Sequence, residues 1–456
     1  MGYLPSAETE GGTPLDYTIL EAYRHNLYHG CFTRAADALF DVCDALLTDV
    51  GARSFVELSQ AASFQRAWPS LYEALEDGRI DRPALIDLFI DLLPQRLVGT
   101  GLVLGLDTSS ILRPEAPTAR DRTLVYRSNL PSDATPVGPG WSFSTLLVLP
   151  DPVSSWTYIL DNRRVPSSET ASTIGVQQLR EILPRLPPLW GRPTLLLDRR
   201  YSSAPWVQDT ADLPLSQLIR ARRDQVLYRP APARSGKPGA PRKDGERFQG
   251  RDPTTHGLPD ADWTGQDAHG QVVRVTCWCG LHLRKARHVP ITVVRILRSR
   301  AHGTKRDPRE SWFWWLGGPL AALEELAGLY GRRYGQEHGY RFDKQDLLWA
   351  APRLRTPEQM ERWTDVVAVV HNQLVLARDR AEAVRRPWEA RTRGATPRQV
   401  RRAMGRIIAQ LGTPARAPQR RGKAPGRARG AMVKRAVRYD VVRKSPPKAQ
   451  APPHPG

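Results

Sequence analysis

Cysteine is scarce in this chain of 456 residues. Its four cysteines are too few for a dense disulfide framework at this length, so we expect a reducing, cytosolic setting. Long hydrophobic runs are also missing, because no stretch approaches the roughly 18 consecutive apolar residues that a membrane-spanning helix needs. The N-terminal residues show no basic region followed by an apolar stretch, so we expect no secretory signal. These absences favour a cytoplasmic protein without membrane contact.

Lysine is rare as well, with 9 residues against 58 arginines, and the positive charge is unevenly spread. Of the formal net charge of +20, residues 391–456 carry +17, because they hold 18 basic residues and a single acid, Asp440. We interpret the chain as a nearly neutral globular body with a strongly cationic tail. The natural partner of such a tail is a polyanion, with nucleic acid as the first candidate. A disordered, solubilising extension is the alternative.

The hydrophobic pattern divides the chain into segments. Apolar residues recur at helical spacing between residues 16 and 96, and from about residue 100 they form short runs typical of strands. Three strands, a helix, a strand, a helix and a strand predict a mixed α/β sheet. We expect a flexible N-terminus (1–15), a helical domain (16–96), the main α/β domain in two parts (97–223 and 308–388), a β-rich insertion with a flexible loop (224–307), and a basic, mostly disordered tail (389–456).

Two of the predicted strands end in a carboxylate. The run Leu102–Leu106 leads into Asp107, and the run Thr194–Leu197 leads into Asp198. An α/β sheet presents its functional groups at the carboxyl ends of its strands, so both aspartates are candidate site residues. Each could instead cap the turn that follows its strand.

A third carboxylate lies in a predicted helix, where Tyr330, Arg333, Glu337 and Lys344 follow one another. At about 100° per residue these four side chains share one stripe about 60° wide and about 21 Å long. A carboxylate beside a phenol, a guanidinium and an ammonium group fits a metal site with groups that hold a phosphate backbone. A solvated helix face is the alternative. Three glycines at four-residue spacing, beginning at Gly331, suggest close approach by another backbone.

The spacing Tyr-x2-Arg-x3-Glu-x6-Lys resembles the signature of bacterial insertion-sequence transposases with an Asp-Asp-Glu active site. The resemblance spans about residues 100–385. It implies a catalytic domain of the ribonuclease-H-like superfamily, whose mixed sheet is interrupted by a β-rich insertion before the last acid. It also implies a role for six residues: Asp107, Asp198 and Glu337 as catalytic acids and metal ligands, and Tyr330, Arg333 and Lys344 as DNA contacts.

The resemblance implies metal-dependent cleavage and transfer of DNA strands. Three carboxylates can hold two Mg²⁺ ions about 3.5–4 Å apart, and Mn²⁺ could substitute. One ion would activate the attacking water or 3′-hydroxyl, and the other would stabilise the leaving oxygen. The expected partners are double-stranded DNA, at the element's ends and at the target, and a second copy of the chain on that DNA. The expected location is the bacterial cytoplasm, in association with the nucleoid.

One position departs from the family's pattern. The family usually follows its second aspartate with x-Gly-Tyr or x-Gly-Phe, whereas Asp198 is followed by Arg199, Arg200 and Tyr201. If that turn needs a positive φ angle, Arg200 would be strained. Two alternatives therefore stay open. The chain could be a catalytically decayed or domesticated DNA-binding protein, or a nuclease of the same fold that performs no strand transfer.

Overall fold

A computed structural model describes residues 17–99, 101–126, 136–150, 154–233, 240–267, 270–299, 309–383, 388, 394–419, 426, 428–432 and 435–444. The predicted flexible segment 1–15 lies outside these residues.

The N-terminal part is helical, as its apolar spacing predicts. It also contains a two-stranded antiparallel sheet, which forms after a π-helical turn at Leu27–Cys31. Asp81 caps one helix by accepting a hydrogen bond from the Ala84 amide, with a proline in the first turn, as the sequence predicts. The elements are α1 (Thr18–Asn26), β1 (Phe32–Arg34), α2 (Ala36–Thr48), α3 (Phe55–Leu58), α4 (Pro69–Asp77), β2 (Arg79–Ile80), α5 (Arg82–Asp91) and α6 (Gln95–Val98).

A sheet of twelve strands forms the centre of the described structure. Two helices lie within its sequence, α7 (Ala171–Ile182) and α8 (Ala204–Asp209). The strands are β3 (Val103–Leu112), β4 (Thr123–Tyr126), β5 (Val137–Val148), β6 (Tyr158–Val165), β7 (Thr194–Leu197), β8 (Ser216–Ala221), β9 (Val226–Tyr228), β10 (Arg247–Gln249), β11 (Ala261–Gln266), β12 (Val272–Leu283), β13 (Ala286–Ser299) and β14 (Arg309–Leu316).

The strand directions make this a mixed sheet. Strand β3 lies between antiparallel β5 and parallel β7, β7 pairs in parallel with β8, and β6 pairs antiparallel with β5. The predicted mixed α/β class is confirmed. The order β6-β5-β3-β7-β8 places the strands that carry Asp107 and Asp198 side by side at the centre.

The described residues between 224 and 299 are β-rich, as predicted, but their long strands extend the main sheet. Strand β12 pairs with β13, β13 pairs with β14, and β14 pairs with β8. The link through β14 comes from an aromatic run, Trp312–Trp315, whose side chains are all buried. The sequence favours core packing for these rings over stacking on an unpaired base, and their burial confirms it. The domain boundaries themselves stay a prediction.

The C-terminal helices close the core between the sheet and the N-terminal helices. They are α9 (Leu323–Leu329), α10 (Tyr334–Gln345), α11 (Pro357–Leu376), α12 (Arg378–Ala383) and α13 (Pro397–Leu411). Helix α11 begins with the predicted capping box of Thr356 and Gln359. It is buried along most of its length, and the Asn372 amide bonds both backbone groups of Ile159 at 2.8 Å, which holds α11 against the edge of β6.

Two parts of the predicted disordered tail have defined structure. Helix α13 buries Val400, Met404 and Ile407 and packs against α2. Further on, the amide of Val442 donates to the carbonyl of Arg122 at 2.7 Å. The sequence leaves a short helix around Val400–Leu411 open within this tail, and α13 forms there because an apolar stripe on an otherwise Arg-rich helix is enough to dock it.

Among the described residues, the helices fall short of the length and apolar character needed to cross a membrane.

Candidate active site

Two of the three predicted acids are neighbours on the central strands. In the parallel pair of β3 and β7, Leu106 is in register with Leu197, so Asp107 and Asp198 follow side by side. Adjacent strands lie about 4.8 Å apart, which brings the two carboxylates to one place on one face of the sheet. The prediction that β3 ends at Asp107 is wrong. The strand continues to Leu112, because β5 pairs with it as far as that residue.

The third acid, Glu337, reaches this place through Arg333. One guanidinium nitrogen of Arg333, Nη2, donates to Oδ2 of Asp107, and the other, Nη1, lies 3.9 Å from Oε1 of Glu337. The Glu337 side chain is 62% exposed, whereas those of Asp107 and Arg333 are 17% and 11% exposed. Asp107 and Glu337 therefore share one mostly buried cation, the guanidinium of Arg333, and Asp198 lies beside Asp107.

Burial and neighbouring charges shift the pKa values of the ionisable groups at this centre. Burial raises the pKa of Asp107 above its usual range, and nearby Asp198 adds to the rise while Arg333 opposes it. Burial alone would lower the pKa of Arg333, but Asp107 and the smaller contributions of Tyr330, Asp198 and Tyr340 together outweigh it, and the pKa of Arg333 is raised. The Nε atom of Arg333 is buried and has no hydrogen-bond partner among the described residues. One donor of this buried guanidinium is thus left without an acceptor among the described residues.

Close packing on both sides fixes helix α10 over the two aspartates. Gly105, two residues before Asp107, has no side chain, and a Cβ atom there would lie 2.9 Å from Oε1 of Gln336. A Cβ atom on Gly335 would lie 2.9 Å from the carbonyl oxygen of Ser154. The close backbone approach predicted from the glycine spacing is therefore present at Gly335. It is absent at Gly331, where no described atom lies within 4 Å.

Sequence reasoning did not identify Tyr340 as part of this arrangement. Its hydroxyl donates to the backbone carbonyl of Asp107 at 3.0 Å, and Gln336 donates to that hydroxyl at 3.3 Å. The signal was present, because Gln336 and Tyr340 are four residues apart and share a face of α10. Without the sheet's position, nothing in the sequence showed which face would meet β3.

The predicted DNA contacts Tyr330 and Lys344 are engaged inside the protein. The Tyr330 ring packs on Phe313, with ring centroids 4.8 Å apart. The Lys344 ammonium donates to the Ser110 carbonyl at 2.9 Å, and burial lowers its pKa. With Arg333 paired to Asp107, all three predicted DNA contacts have partners in the protein, and their role on DNA stays a prediction.

The single continuous helix assumed for these residues is wrong in one place. Tyr330–Arg333 forms a 3₁₀ turn between α9 and α10, so the four motif residues do not share one straight stripe. Glycine lowers helix propensity, and Gly328 and Gly331 accompany this change of pitch. Arg333 and Glu337 nevertheless meet at their spacing of four.

The turn after Asp198 accepts Arg200 without strain. Arg200 is not among the described residues with a positive φ angle, and its amide donates to Oδ1 of Asp198 at 2.8 Å. The aromatic residue that follows, Tyr201, is buried with its ring 4.7 Å from that of Trp206. The departure from glycine therefore gives no structural reason for a loss of function at this turn.

The donor set fits a divalent cation. Asp107 and Asp198 offer adjacent carboxylate oxygens, the ligand type that Mg²⁺ prefers, and Asp107 already attracts a cationic side chain. Within the described residues no group of three His, Cys, Asp or Glu side chains is arranged to hold a metal ion. Asp107 and Glu337 instead share contact with the guanidinium of Arg333.

A known protein family matches the part of the chain that carries the first two acids. The family described as DDE superfamily endonuclease matches residues 27–281, which is more than half of the chain. The chain belongs to the DDE superfamily endonucleases. The matched range includes Asp107 and Asp198 and ends before Glu337. The predicted identity is confirmed at the level of this endonuclease superfamily.

No curated protein matches the sequence of this DDE superfamily endonuclease. Among solved structures, a similar chain comes from the cryo-EM structure of a piggyBac transposase synaptic complex with hairpin DNA. That alignment covers 83% of this chain and 73% of the other, with 12% sequence identity and a TM-score of 0.41.

Proposed function

We propose that this endonuclease is a DNA transposase of the bacterial insertion-sequence type, which cleaves the ends of its element and joins them to a target. The observation that carries the proposal is the placement of Asp107 on β3 beside Asp198 at the end of β7, with Glu337 linked to Asp107 through Arg333. The strand order β6-β5-β3-β7-β8 supports the ribonuclease-H-like assignment of this sheet.

Asp107, Asp198 and Glu337 would hold two divalent ions, Mg²⁺ or in its place Mn²⁺. When bound, such ions stabilise the charge that develops on the attacking and leaving oxygens at phosphorus. Asp107 and Asp198 contribute two rigid carboxylates, because both extend from the central strands of the sheet. Glu337 would complete the set once Arg333 releases Asp107, and the released guanidinium would then be free to bind a phosphate oxygen.

Tyr340 and Gln336 keep this centre in position. The Tyr340 hydroxyl holds the backbone at Asp107, so α10, which carries Glu337, stays at a fixed distance from β3. Positioning of this kind is a large part of phosphoryl transfer, in which the protein mainly orients the reacting groups. We further infer that the DNA-bound form contains two copies of the chain, because two ends must be held together.

The test is cleavage of the DNA that flanks the gene, with Mg²⁺, by the wild type and by Asp107→Asn, Asp198→Asn and Glu337→Gln. We expect each variant to lose cleavage while its DNA affinity stays within about twofold, because the substitutions keep side-chain size and remove only a charge. Glu324→Gln, an exposed glutamate on the neighbouring helix α9, is the matched control and should cleave normally. Retained cleavage in any of the three variants would contradict the assignment.

A second assay separates transposition from plain hydrolysis. A labelled 3′ end that becomes joined to a target plasmid is the expected product of a transposase. Cleavage without joined product would show a nuclease of the same fold. DNA binding without cleavage would show a catalytically decayed protein. The turn at Arg200 gives no structural reason for such decay, because it is unstrained.

A further inference from the structure

An exposed strip of α10 leads away from the three acids. Glu337, Arg341 and Gln345 follow at a spacing of four residues, and all three are exposed. Residues at this spacing lie one above another on a helix, so the strip extends over about 12 Å. Arg341 has no side-chain partner among the described residues, so its guanidinium faces solvent one turn from Glu337.

This strip ends at a cavity of about 380 Å³. Gln345 and Asp346 bound the cavity at the end of α10, and Arg53 bounds it from the loop that follows α2. Three arginines of α13 complete its wall: Arg398, Arg401 and Arg402. The cavity is open to solvent and is lined mainly by cationic side chains, so it suits an anion.

The arginines of this wall differ in what they already contact. Arg401 is buried and donates to the carbonyls of Leu46 and Asp49, which makes it part of the packing of α13. Arg398 pairs with Asp346 at 2.9 Å. Arg402 is exposed and has no side-chain partner among the described residues. We call the exposed set, Arg53, Arg341, Arg398 and Arg402, the arginine surface.

We propose that the arginine surface binds the phosphate backbone of the DNA strand that enters the Asp107 centre. The inference rests on the proposed function and adds where the DNA lies. Guanidinium groups bind phosphate oxygens in a bidentate fork, and a row of them matches a row of phosphates. The row begins one turn from Glu337 and continues along α10 to α13, so a strand held there would lead directly to the three acids.

The binding is expected to be independent of base sequence. The arginine surface offers charge and donors to phosphates, and phosphate contacts set register and orientation without reading bases. DNA differs from an acidic protein segment in its evenly spaced phosphate charges. A DNA duplex releases condensed counterions when a protein neutralises these charges.

The test measures DNA affinity across a series of salt concentrations, by fluorescence anisotropy of a labelled random-sequence duplex without divalent metal. Each phosphate contact contributes about 0.9 to the slope of log Kobs against log salt concentration. The double variant Arg341→Ala/Arg402→Ala should therefore reduce the slope by about 1.8. Both side chains are exposed and unpaired in the described structure, so the fold should be retained, which circular dichroism checks.

Arg251→Ala is the matched control. Arg251 is exposed next to β10, at the far edge of the sheet, and its guanidinium has no partner among the described residues. We expect its slope to equal that of the wild type. A slope in Arg341→Ala/Arg402→Ala that also equals the wild type would overturn the proposal. The proposal would also be overturned if Arg341→Ala/Arg402→Ala lost binding to polyglutamate but kept the wild-type salt dependence of DNA binding.

The two proposals fail in different ways. Normal Mg²⁺-dependent cleavage by the double variant, with an unchanged slope, would overturn the arginine surface and leave the transposase standing. A reduced slope in the double variant, together with no cleavage by the wild type, would support the surface and overturn the catalytic proposal.

Discussion

Replacing Arg333 by glutamine removes the cation that lies between Asp107 and Glu337. In the wild type this guanidinium contacts both carboxylates, and its side chain and that of Asp107 are mostly buried. Removing one partner of a buried ion pair typically costs about 3–5 kcal/mol, because the remaining charge is left without compensation. Since the pair keeps some contact with solvent, we expect a loss of about 3 kcal/mol in the free energy of unfolding at neutral pH.

The loss should depend on pH in one direction. The pKa of Asp107 is already raised by burial and by Asp198, and Arg333 opposes that rise. Without Arg333 the pKa rises further, so the folded variant binds a proton more readily than the unfolded chain does. The destabilisation is therefore full above the folded pKa and shrinks as the pH falls through it toward the usual carboxyl range.

The assay is urea unfolding followed by tryptophan fluorescence at several pH values, for the wild type and Arg333→Gln. The control is Arg180→Gln, which breaks an exposed pair with Asp212 and should lower the free energy of unfolding far less than Arg333→Gln does. Mg²⁺ should stabilise Arg333→Gln more than the wild type, because it no longer competes with the guanidinium for Asp107. A loss in Arg333→Gln that equals the control at every pH, with no extra effect of Mg²⁺, would refute this reasoning.

Two further predictions concern the surroundings of helix α10, which carries Glu337, and the contact that His371 of α11 makes with it. Gly335→Ala places a Cβ atom 2.9 Å from the Ser154 carbonyl oxygen and should lower the free energy of unfolding by about 1–3 kcal/mol. Gly331→Ala meets no described atom within 4 Å and should be neutral or stabilising. Equal thermal unfolding midpoints for the two variants would contradict this. His371 lies between two acceptors, the Asp343 carboxylate at 2.7 Å and the Thr157 carbonyl at 2.9 Å. Burial alone would lower the pKa of His371, but Asp343 and the Thr157 carbonyl together outweigh it and the pKa is raised. The stabilisation from His371 should therefore be full below about pH 6.5 and lost as the pH rises through the folded value. His371→Gln should remove this pH dependence of the unfolding free energy, and an unchanged pH profile would exclude the role.

Local patterns in the sequence were enough for the centre of the fold. Apolar runs of four to eight residues predicted β3 and β7, and their aspartates lie together because parallel neighbours keep the same register. The capping box at Thr356 and the N-cap at Asp81 were also readable, because each depends on a few adjacent residues.

Long-range pairing was beyond local patterns. Nothing near Trp312 shows that β14 will pair with β8 and join the β-rich segment to the main sheet, because the partner lies about ninety residues away in the chain. The contact of Arg333 with Asp107 likewise joins residues that are far apart in the chain, so local patterns do not reveal it. The motif gave the residue types of the site, while the docking of α10 on β3 decides which of them face one another.

The most direct test of the central claim is the number of Mn²⁺ ions that the protein binds, measured by electron paramagnetic resonance. With DNA present, we expect about two ions for each wild-type chain, and weak or no binding in Asp107→Asn and Asp198→Asn. Wild-type stoichiometry and affinity in both variants would contradict the claim that these acids, with Glu337, form the metal-dependent centre.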